Sequence, residues 1–238
     1  MTRAYIVAGA GTDIGKTHIS CALLRLWREQ GLRCAALKPV LSGIEDDWTA
    51  GLQARSASED ARSVTPNDAT RLLVALGETP TPEAVARVAP WRFRAPLAPP
   101  AAAALEGQSL DFEAIVRACE TARDNPEADR VLIETAGGVM SPLTEQHTML
   151  DLIERIGAPV IFIAGSYLGG ISHALTGLVA LRNCQVAAVI ISESEQSAGK
   201  LEELPATLAR HGVRAPMALA RRGAEAEVME DLRALDLG

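Results

Sequence analysis

Short apolar runs alternate along the chain with amphipathic segments. The runs predict β-strands at Ala4–Ala8, Arg33–Leu37, Arg130–Glu134, Val160–Ala164, Val186–Ile191 and Ala215–Leu219. The amphipathic segments predict helices at Lys16–Gln30, Asp68–Leu76, Asp111–Arg123, Met149–Ile156, Ile171–Leu181, Ser197–His211 and Ala224–Leu235. Strands that are apolar throughout are typical of a parallel sheet covered by helices on both faces. We therefore expect an α/β fold, with a doubly wound, mostly parallel sheet flanked by helices.

Two proline-rich stretches interrupt this alternation, at residues 79–82 and 95–100. Because proline breaks regular structure, we expect residues 77–105 to form an excursion over one edge of the sheet. We expect the excursion to belong to a single domain that spans residues 1–238. The polar stretch Gly43–Ser58 predicts a loop.

Composition and charge exclude several classes of protein. The 238 residues carry 23 Lys and Arg against 30 Asp and Glu, a net charge of −7, which argues against nucleic acid as a partner. The four cysteines form no CxxC pair, so we expect neither zinc nor a disulfide framework. Apolar runs are far shorter than the roughly 20 residues of a membrane span, and the first residues resemble a strand, not a secretory signal. We expect a cytoplasmic protein without a membrane partner.

A glycine-rich loop carries the strongest chemical signal. The sequence Gly9-Ala10-Gly11-Thr12-Asp13-Ile14-Gly15-Lys16-Thr17 follows the first predicted strand and opens the first predicted helix. It matches the phosphate-binding P-loop motif GxxxxGK[ST], except that Ala10 stands at the first glycine position. In this motif backbone N–H groups bind phosphate oxygens, the lysine reaches the β- and γ-phosphates, and the final hydroxyl binds magnesium. A dinucleotide fingerprint fits less well, since the glycine spacing is one residue too long and the second strand ends at Lys38 and not at an acid.

Charged side chains follow two other strands at the same predicted edge of the sheet. Lys38 follows the second strand and adds a second cation, as expected for phosphoryl transfer. Glu134 ends the third strand, where a carboxylate near a P-loop typically assists a magnesium ion. A further acid is expected after Lys38. Asp68 and Asp60 are both candidates and both could also cap a helix; we prefer Asp68.

Four blocks of the sequence resemble the dethiobiotin synthetases, the ATP-dependent carboxylases and cyclases of biotin synthesis. The blocks are residues 11–17 (GTDIGKT), 38–43 (KPVLSG), 134–138 (ETAGG) and 168–174 (LGGISHA). Their order and approximate spacing resemble those of the family over residues 1–192. The resemblance implies a P-loop NTPase fold and a ligase that converts 7,8-diaminononanoate, CO2 and a nucleoside triphosphate to dethiobiotin.

The resemblance also implies roles for individual residues. The ATP-binding residues would be Thr12, Asp13, Ile14, Gly15, Lys16, Thr17, His18, Asp68, Glu134, Thr135, Ala136, Gly137 and Ser192. Thr17, Asp68 and Glu134 would bind Mg2+, and Lys16 and Lys38 would be catalytic. The substrate-binding residues would be Lys38, Ser42, Leu168, Gly169 and Ser172, the last three acting across a homodimer interface.

The chain departs from the family pattern at several of these positions. Thr135 replaces a glycine, and Ser172 and Ser192 stand where the family often has asparagine; the asparagine at the position of Ser192 reads adenine. The last strand also lacks the Ile-Pro or Leu-Pro pair that flanks the base in the family.

Two other functions compete with the synthetase. A partitioning or positioning ATPase of the P-loop class usually has an extra lysine where Gly11 stands, and often ends in a basic membrane helix, whereas the last predicted helix here is acidic. A non-enzymatic nucleotide sensor would leave Lys38-Pro39-Val40 unexplained.

Overall fold

The computed structural model describes residues 2–44, 67–235 and 237. Its strands are β1 (Arg3–Gly9), β2 (Cys34–Leu37), β3 (Val40–Ser42), β4 (Trp91–Phe93), β5 (Arg130–Glu134), β6 (Val160–Gly165), β7 (Val186–Ser192) and β8 (Met217–Ala220). Its α-helices are α1 (Lys16–Glu29), α2 (Asp68–Leu76), α3 (Pro82–Val88), α4 (Pro99–Leu105), α5 (Phe112–Arg123), α6 (Met149–Ile156), α7 (Gly170–Ala180), α8 (Leu204–Arg210) and α9 (Glu225–Ala234). Most of the predicted loop Gly43–Ser58, and Asp60, lie outside the described residues.

The central sheet is parallel throughout. Within the described residues its strands pair in the order β2-β5-β1-β6-β7-β8. Side chains of β1 alternate between two cores: Tyr5 and Val7 pack in the core that includes α1, α2 and α9, and Ile6 packs in the core that includes α5, α6 and α7. Because both faces are covered by helices, the strands are apolar on both sides. The predicted doubly wound, mostly parallel fold is confirmed.

Helix caps explain where two site-bearing helices begin. The side chain of Asn67 accepts a hydrogen bond from the Thr70 N–H at 3.0 Å, so Asn67, and not Asp68, is the N-cap of α2. Asp68 is the first helical residue, and its carboxylate remains available to the site. Gly15 precedes α1 with a φ of 91°, a left-handed conformation that glycine adopts without strain.

The proline-rich stretch contains more regular structure than the sequence predicted. Helices α3 and α4 begin at Pro82 and Pro99, because a proline at the first helical position leaves no backbone donor unsatisfied. Between them β4 pairs in parallel with β3, a short strand that the sequence also did not predict. The Lys38 N–H donates to the Val88 carbonyl at 2.8 Å, which attaches this segment beside the edge strand β2.

The predicted helix Ser197–His211 is too long. Residues 197–200 are not helical, and a short 3₁₀ helix at Leu201–Glu203 leads into α8. Gly199 has a φ of 88°, which is incompatible with an α-helix. The other predicted helices and strands agree with the structure to within two residues at each end. In the described part of the chain, helices lack the length and apolar character needed to cross a bilayer.

Candidate active site

The P-loop wraps a cavity at the carboxyl edge of the sheet. The cavity has a volume of about 220 Å³ and is lined by Thr12, Asp13, Gly15, Lys16, Thr17, His18, Lys38, Val40, Leu41, Ser42, Asp68, Arg71, Ala136 and Gly137. Of the described non-glycine residues, Asp13 alone has a left-handed φ, of 55°. Ala10 therefore has an ordinary backbone conformation, which explains why this loop tolerates alanine at the first glycine position.

Lys16 lies inside this loop. Its side chain is buried, and its Nζ donates to the Gly11 carbonyl at 2.6 Å. Burial, together with the nearby charge of Lys38, lowers the pKa of Lys16 from 10.5 to about 8. A partly desolvated ammonium that is held by the backbone of the P-loop is well placed to bind phosphate oxygens.

Lys38 joins the two carboxylates that the sequence assigned to the metal. Its Nζ donates to Glu134 Oε1 at 2.7 Å and forms a second, shorter hydrogen bond with Asp68. Burial alone lowers the pKa of Lys38, but the charges of Glu134 and Asp68 outweigh burial and hold it above its usual value. Burial likewise favours the neutral form of Asp68, and the charge of Lys38 reverses this and lowers the pKa of Asp68. Lys38 and Asp68 are therefore both charged at neutral pH.

Glu134 lies beneath the cavity and is fully buried. Its Oε1 accepts from Thr17 Oγ1 at 2.6 Å, and its Oε2 accepts from Ser20 Oγ at 2.7 Å. These contacts, with that of Lys38, satisfy a carboxylate that would otherwise be costly to bury. Ser20 was not predicted as a site residue, although it lies one helical turn after Thr17 on the same face of α1.

The structure brings eleven predicted site residues to the cavity wall, namely Thr12, Asp13, Gly15, Lys16, Thr17, His18, Lys38, Ser42, Asp68, Ala136 and Gly137. Two predicted residues face inward instead. The Ile14 side chain packs in the core, and the Thr135 N–H and Oγ1 both donate to the Val7 carbonyl, at 3.0 and 3.3 Å. Thr135 therefore ties the strand ends together. Glu134 does not line the cavity itself, but it accepts hydrogen bonds from Thr17 and Lys38, which do.

Ser192 lies at the end of β7, against the P-loop. A Cβ placed on Gly15 would lie 2.6 Å from Ser192 Oγ, so Ser192 packs on the backbone of Gly15 and leaves no room for a side chain there. Ser192 is buried and does not line the phosphate cavity. Its assignment to base recognition stays a prediction.

The turn before α7 lies apart from this cavity. Leu168 is 88% exposed, and Gly169 caps α7 in a left-handed conformation. Leu168, Gly169 and Ser172 are absent from the lining of the phosphate cavity. A neighbouring cavity of about 440 Å³ lies between the P-loop, residues 138–142 and α7, whose His173, Thr176 and Gly177 line it. Within one chain, the structure does not bring the three predicted residues to the phosphates.

The donors around Lys38 fit a magnesium ion. Thr17, Asp68 and Glu134 supply oxygen atoms, which hard divalent cations prefer, and Mg2+ is commonly bound through one or two carboxylates plus substrate phosphates. In the described part of the chain, no group of three or more His, Cys, Asp and Glu residues could hold a metal by itself.

The fold and site define a P-loop nucleotide-binding protein, with a parallel sheet, a loop closing on Lys16, and acids at the neighbouring strand ends. Residues 3–222 match a family model described as an AAA domain. MinC:MinD cell division protein complex from Aquifex aeolicus aligns with a TM-score of 0.53 at 10% identity, covering 98% of this chain and 96% of that one. Hydrogenase maturation factor HypB from Archaeoglobus fulgidus aligns with a TM-score of 0.51 at 14% identity, covering 98% and 90%. At these identities the likeness shows the fold alone.

Closer relatives identify the family. The ATP-dependent dethiobiotin synthetase BioD of Caulobacter sp. is 48% identical over 227 residues, which cover 92% of this chain and 88% of that protein. The protein of the same name from Methylobacterium nodulans is 45% identical over 222 residues, covering 91% and 92%. The chain belongs to the ATP-dependent dethiobiotin synthetase family, as its four sequence blocks predicted. These relatives do not favour the partitioning or positioning ATPase.

Proposed function

We propose that this chain carboxylates 7,8-diaminononanoate with CO2 and closes the ring at the expense of ATP, giving dethiobiotin, ADP and phosphate. The observation that carries the proposal is the convergence of Lys16, Lys38, Asp68 and Glu134 around one phosphate-binding cavity. One amine of the substrate adds to CO2 and forms a carbamate. A carbamate oxygen attacks the γ-phosphate and displaces ADP, which leaves a mixed carbamic–phosphoric anhydride. The second amine then attacks the carbamate carbon, loses its proton, expels phosphate and forms the cyclic urea.

Two anions must meet in this reaction, a carbamate and a triphosphate. Lys16 and Lys38 line the same cavity and place positive charge where negative charge accumulates in the transition state. Ser42, at the end of β3, lines the cavity four residues after Lys38 and is suited to donate a hydrogen bond to the substrate. The cavity holds both reactants close together, which lowers the entropic cost of the step.

We further propose that Thr17, Asp68 and Glu134 hold Mg2+. The ion would neutralise charge on the triphosphate and withdraw electrons from its phosphoryl oxygens. The chain itself orients the two carboxylates, because Lys38 contacts both and Thr17 and Ser20 fix Glu134.

Thr17→Ala and Asp68→Ala are each expected to raise the Mg2+ concentration for half-maximal activity by about 10-fold or more. Since both residues belong to one hydrogen-bonded cluster, the double variant should lose less than the sum of the two free-energy effects. Magnesium titrations of turnover measure this. If Asp68→Ala leaves the magnesium dependence unchanged and Asp60→Ala shifts it, the metal-binding acid is Asp60.

Weak selectivity for the base is expected from Ser192. Its hydroxyl offers less than the donor and acceptor of an asparagine amide, and it packs against Gly15. ATP should be preferred over CTP and GTP by less than about 100-fold in kcat/KM, roughly 2.7 kcal/mol. A larger preference in side-by-side assays would assign base recognition to other residues.

We also propose that the enzyme is a homodimer that places the turn before α7 at the partner's substrate site. An apolar stripe at helical spacing supports this: Leu168, Ile171 and Val179 are 88%, 36% and 63% exposed. Ile171 and Val179 lie on α7, the helix that also lines the cavity beside the P-loop, and Leu168 lies in the turn before it. Light scattering should give twice the mass of the chain, and Val179→Glu should reduce it. A monomeric wild-type protein with full activity would overturn the homodimer.

Phosphate release tests the function itself. The wild-type protein is supplied with ATP and bicarbonate, with and without 7,8-diaminononanoate, and dethiobiotin is detected by mass spectrometry. Release should depend strictly on the diamine and match dethiobiotin in amount. ATP turnover that ignores the diamine but responds to a protein or lipid partner would support a positioning ATPase instead. Because the reaction consumes ATP, we place it in the cytoplasm.

A further inference from the structure

One cation of the phosphate cavity has no role in the mechanism above. Arg71 lies on α2, one helical turn after Asp68, and lines the cavity together with the P-loop. The side chain is 42% exposed, so its guanidinium has access to solvent and to a bound ligand. The sequence pattern does not single out Arg71, because an arginine on an amphipathic helix is most simply a solvated surface residue.

The contacts of Arg71 leave its donors available. Within residues 2–44, 67–235 and 237, its ion-pair partner is Asp68, with 3.9 Å between Nη1 and Oδ1. That distance is too long for a hydrogen bond. A helical pair at this spacing contributes only about 0.2–0.5 kcal/mol, so the pair alone does not account for a cation at this position.

The charge balance of the cavity also favours an anionic ligand for Arg71. Among the described residues in and under the cavity, the carboxylates of Asp13, Asp68 and Glu134 face the cations Lys16, Lys38 and Arg71. Lys38 is already paired with two of these carboxylates. Without Arg71 the acids would outnumber the cations at a site for a highly charged triphosphate.

The cavity that Arg71 lines is also lined by His18, which directly follows Thr17 at the N-terminal turn of α1. Arg71 therefore shares one cavity with the C-terminal end of the P-loop.

We propose that Arg71 is a triphosphate-binding residue of this chain, whose guanidinium binds phosphate oxygens from the α2 side of the cavity. The inference rests on the nucleotide site of the proposed function. The guanidinium of Arg71 has a planar set of five donors that can bind two phosphate oxygens at once, which an ammonium group cannot do.

Titration calorimetry with ATP in EDTA tests this directly. Arg71→Ala should weaken ATP by about 10-fold or more, which corresponds to about 1.4 kcal/mol, and Arg71→Lys should weaken it less. The affinities for inorganic tripolyphosphate should fall in the same order, from wild type to Arg71→Lys to Arg71→Ala, because Arg71 contacts the phosphates and not the base. The matched control is Arg25→Ala: Arg25 is exposed on α1, but it does not line the cavity. It should change the affinity less than about 2-fold.

The alternative is that Arg71 only positions Asp68. In that case Arg71→Ala would leave the affinity in EDTA unchanged and raise only the magnesium requirement, and the proposal would be wrong. Equal losses of ATP affinity in Arg71→Ala and Arg25→Ala would also overturn the proposal, since they would reflect long-range electrostatics and not a direct contact. Circular dichroism shows whether each variant is folded. Arg71→Gln is a second variant without the charge, and it should lose ATP affinity as Arg71→Ala does.

Dethiobiotin formation by the wild-type enzyme, measured in parallel, separates this inference from the proposed function. If the wild type forms dethiobiotin and Arg71→Ala binds ATP normally, only the role of Arg71 is lost. If the wild type forms none, the proposed reaction fails, and the calorimetric comparison still decides the role of Arg71.

Discussion

Lys38→Gln is expected to lower kcat by about 100-fold or more and to leave the nucleotide affinity within a few-fold. Lys38 matters most once the carbamate has formed, because a second anion then approaches the γ-phosphate. Glutamine keeps much of the side-chain volume and removes the charge. Nucleotide titration and diamine-dependent phosphate release measure the two effects separately.

The same substitution should also destabilise the protein. Lys38 is 5% exposed and Glu134 is 0% exposed, so removing the lysine charge leaves a buried carboxylate without its cation. Breaking a buried ion pair from one side typically costs about 3–5 kcal/mol. Urea unfolding at neutral pH should reveal this loss.

A double variant tests the origin of the lost stability. Lys38→Gln combined with Glu134→Gln removes both members of the buried pair, so it should recover most of the lost stability. No recovery would mean that the loss does not come from the unpaired Glu134 carboxylate. If Lys38→Gln instead abolishes nucleotide binding but spares turnover at saturating ATP, Lys38 is a triphosphate anchor and the mechanism is misassigned.

Much of the site could be predicted because parallel strands end at the same edge of a sheet. Lys38, Glu134 and the P-loop each follow a strand whose apolar pattern is clear, and the topology alone brings them together. Asp68 comes from a helix, so strand topology alone could not place it. Its hydrogen bond with Lys38 brings it to the site, and its choice over Asp60 as the metal-binding acid stays a prediction.

The site residues that the sequence did not predict lie on helices, where the pattern does not show which way a polar side chain faces. Ser20 and Arg71 occupy polar positions on helices, and only the packing of α1 against α2 turns them toward the carboxylates and the cavity. The strand pair β3–β4 was missed because each strand is only three residues long. Prolines at 82 and 99 were interpreted as helix breakers, although proline is well suited to the first turn.

Lys16→Ala is expected to reduce both nucleotide affinity and turnover, with a loss in rate of about 100-fold or more. Lys16 is one of three lysines in the chain, and its Nζ is held inside the P-loop by the Gly11 carbonyl. Alanine removes the cation without disturbing the Lys38 pair. The matched control is Lys200→Ala, whose side chain is 80% exposed and far from the motif in sequence; it should behave as wild type.

The pH dependence of ATP affinity tests whether Lys16 is the residue that binds the phosphates. Because burial lowers its pKa to about 8, Lys16 binds ATP best below that pH and loses its charge as the pH rises through it. The dissociation constant for ATP should therefore increase by about 10-fold between pH 7 and pH 9 in the wild type. Lys16→Arg keeps its charge throughout, so its affinity should stay level over this range, even if it is weaker overall. A wild-type affinity that does not change with pH, or near-normal turnover by a well-folded Lys16→Ala protein, would overturn the role of Lys16 at the phosphates.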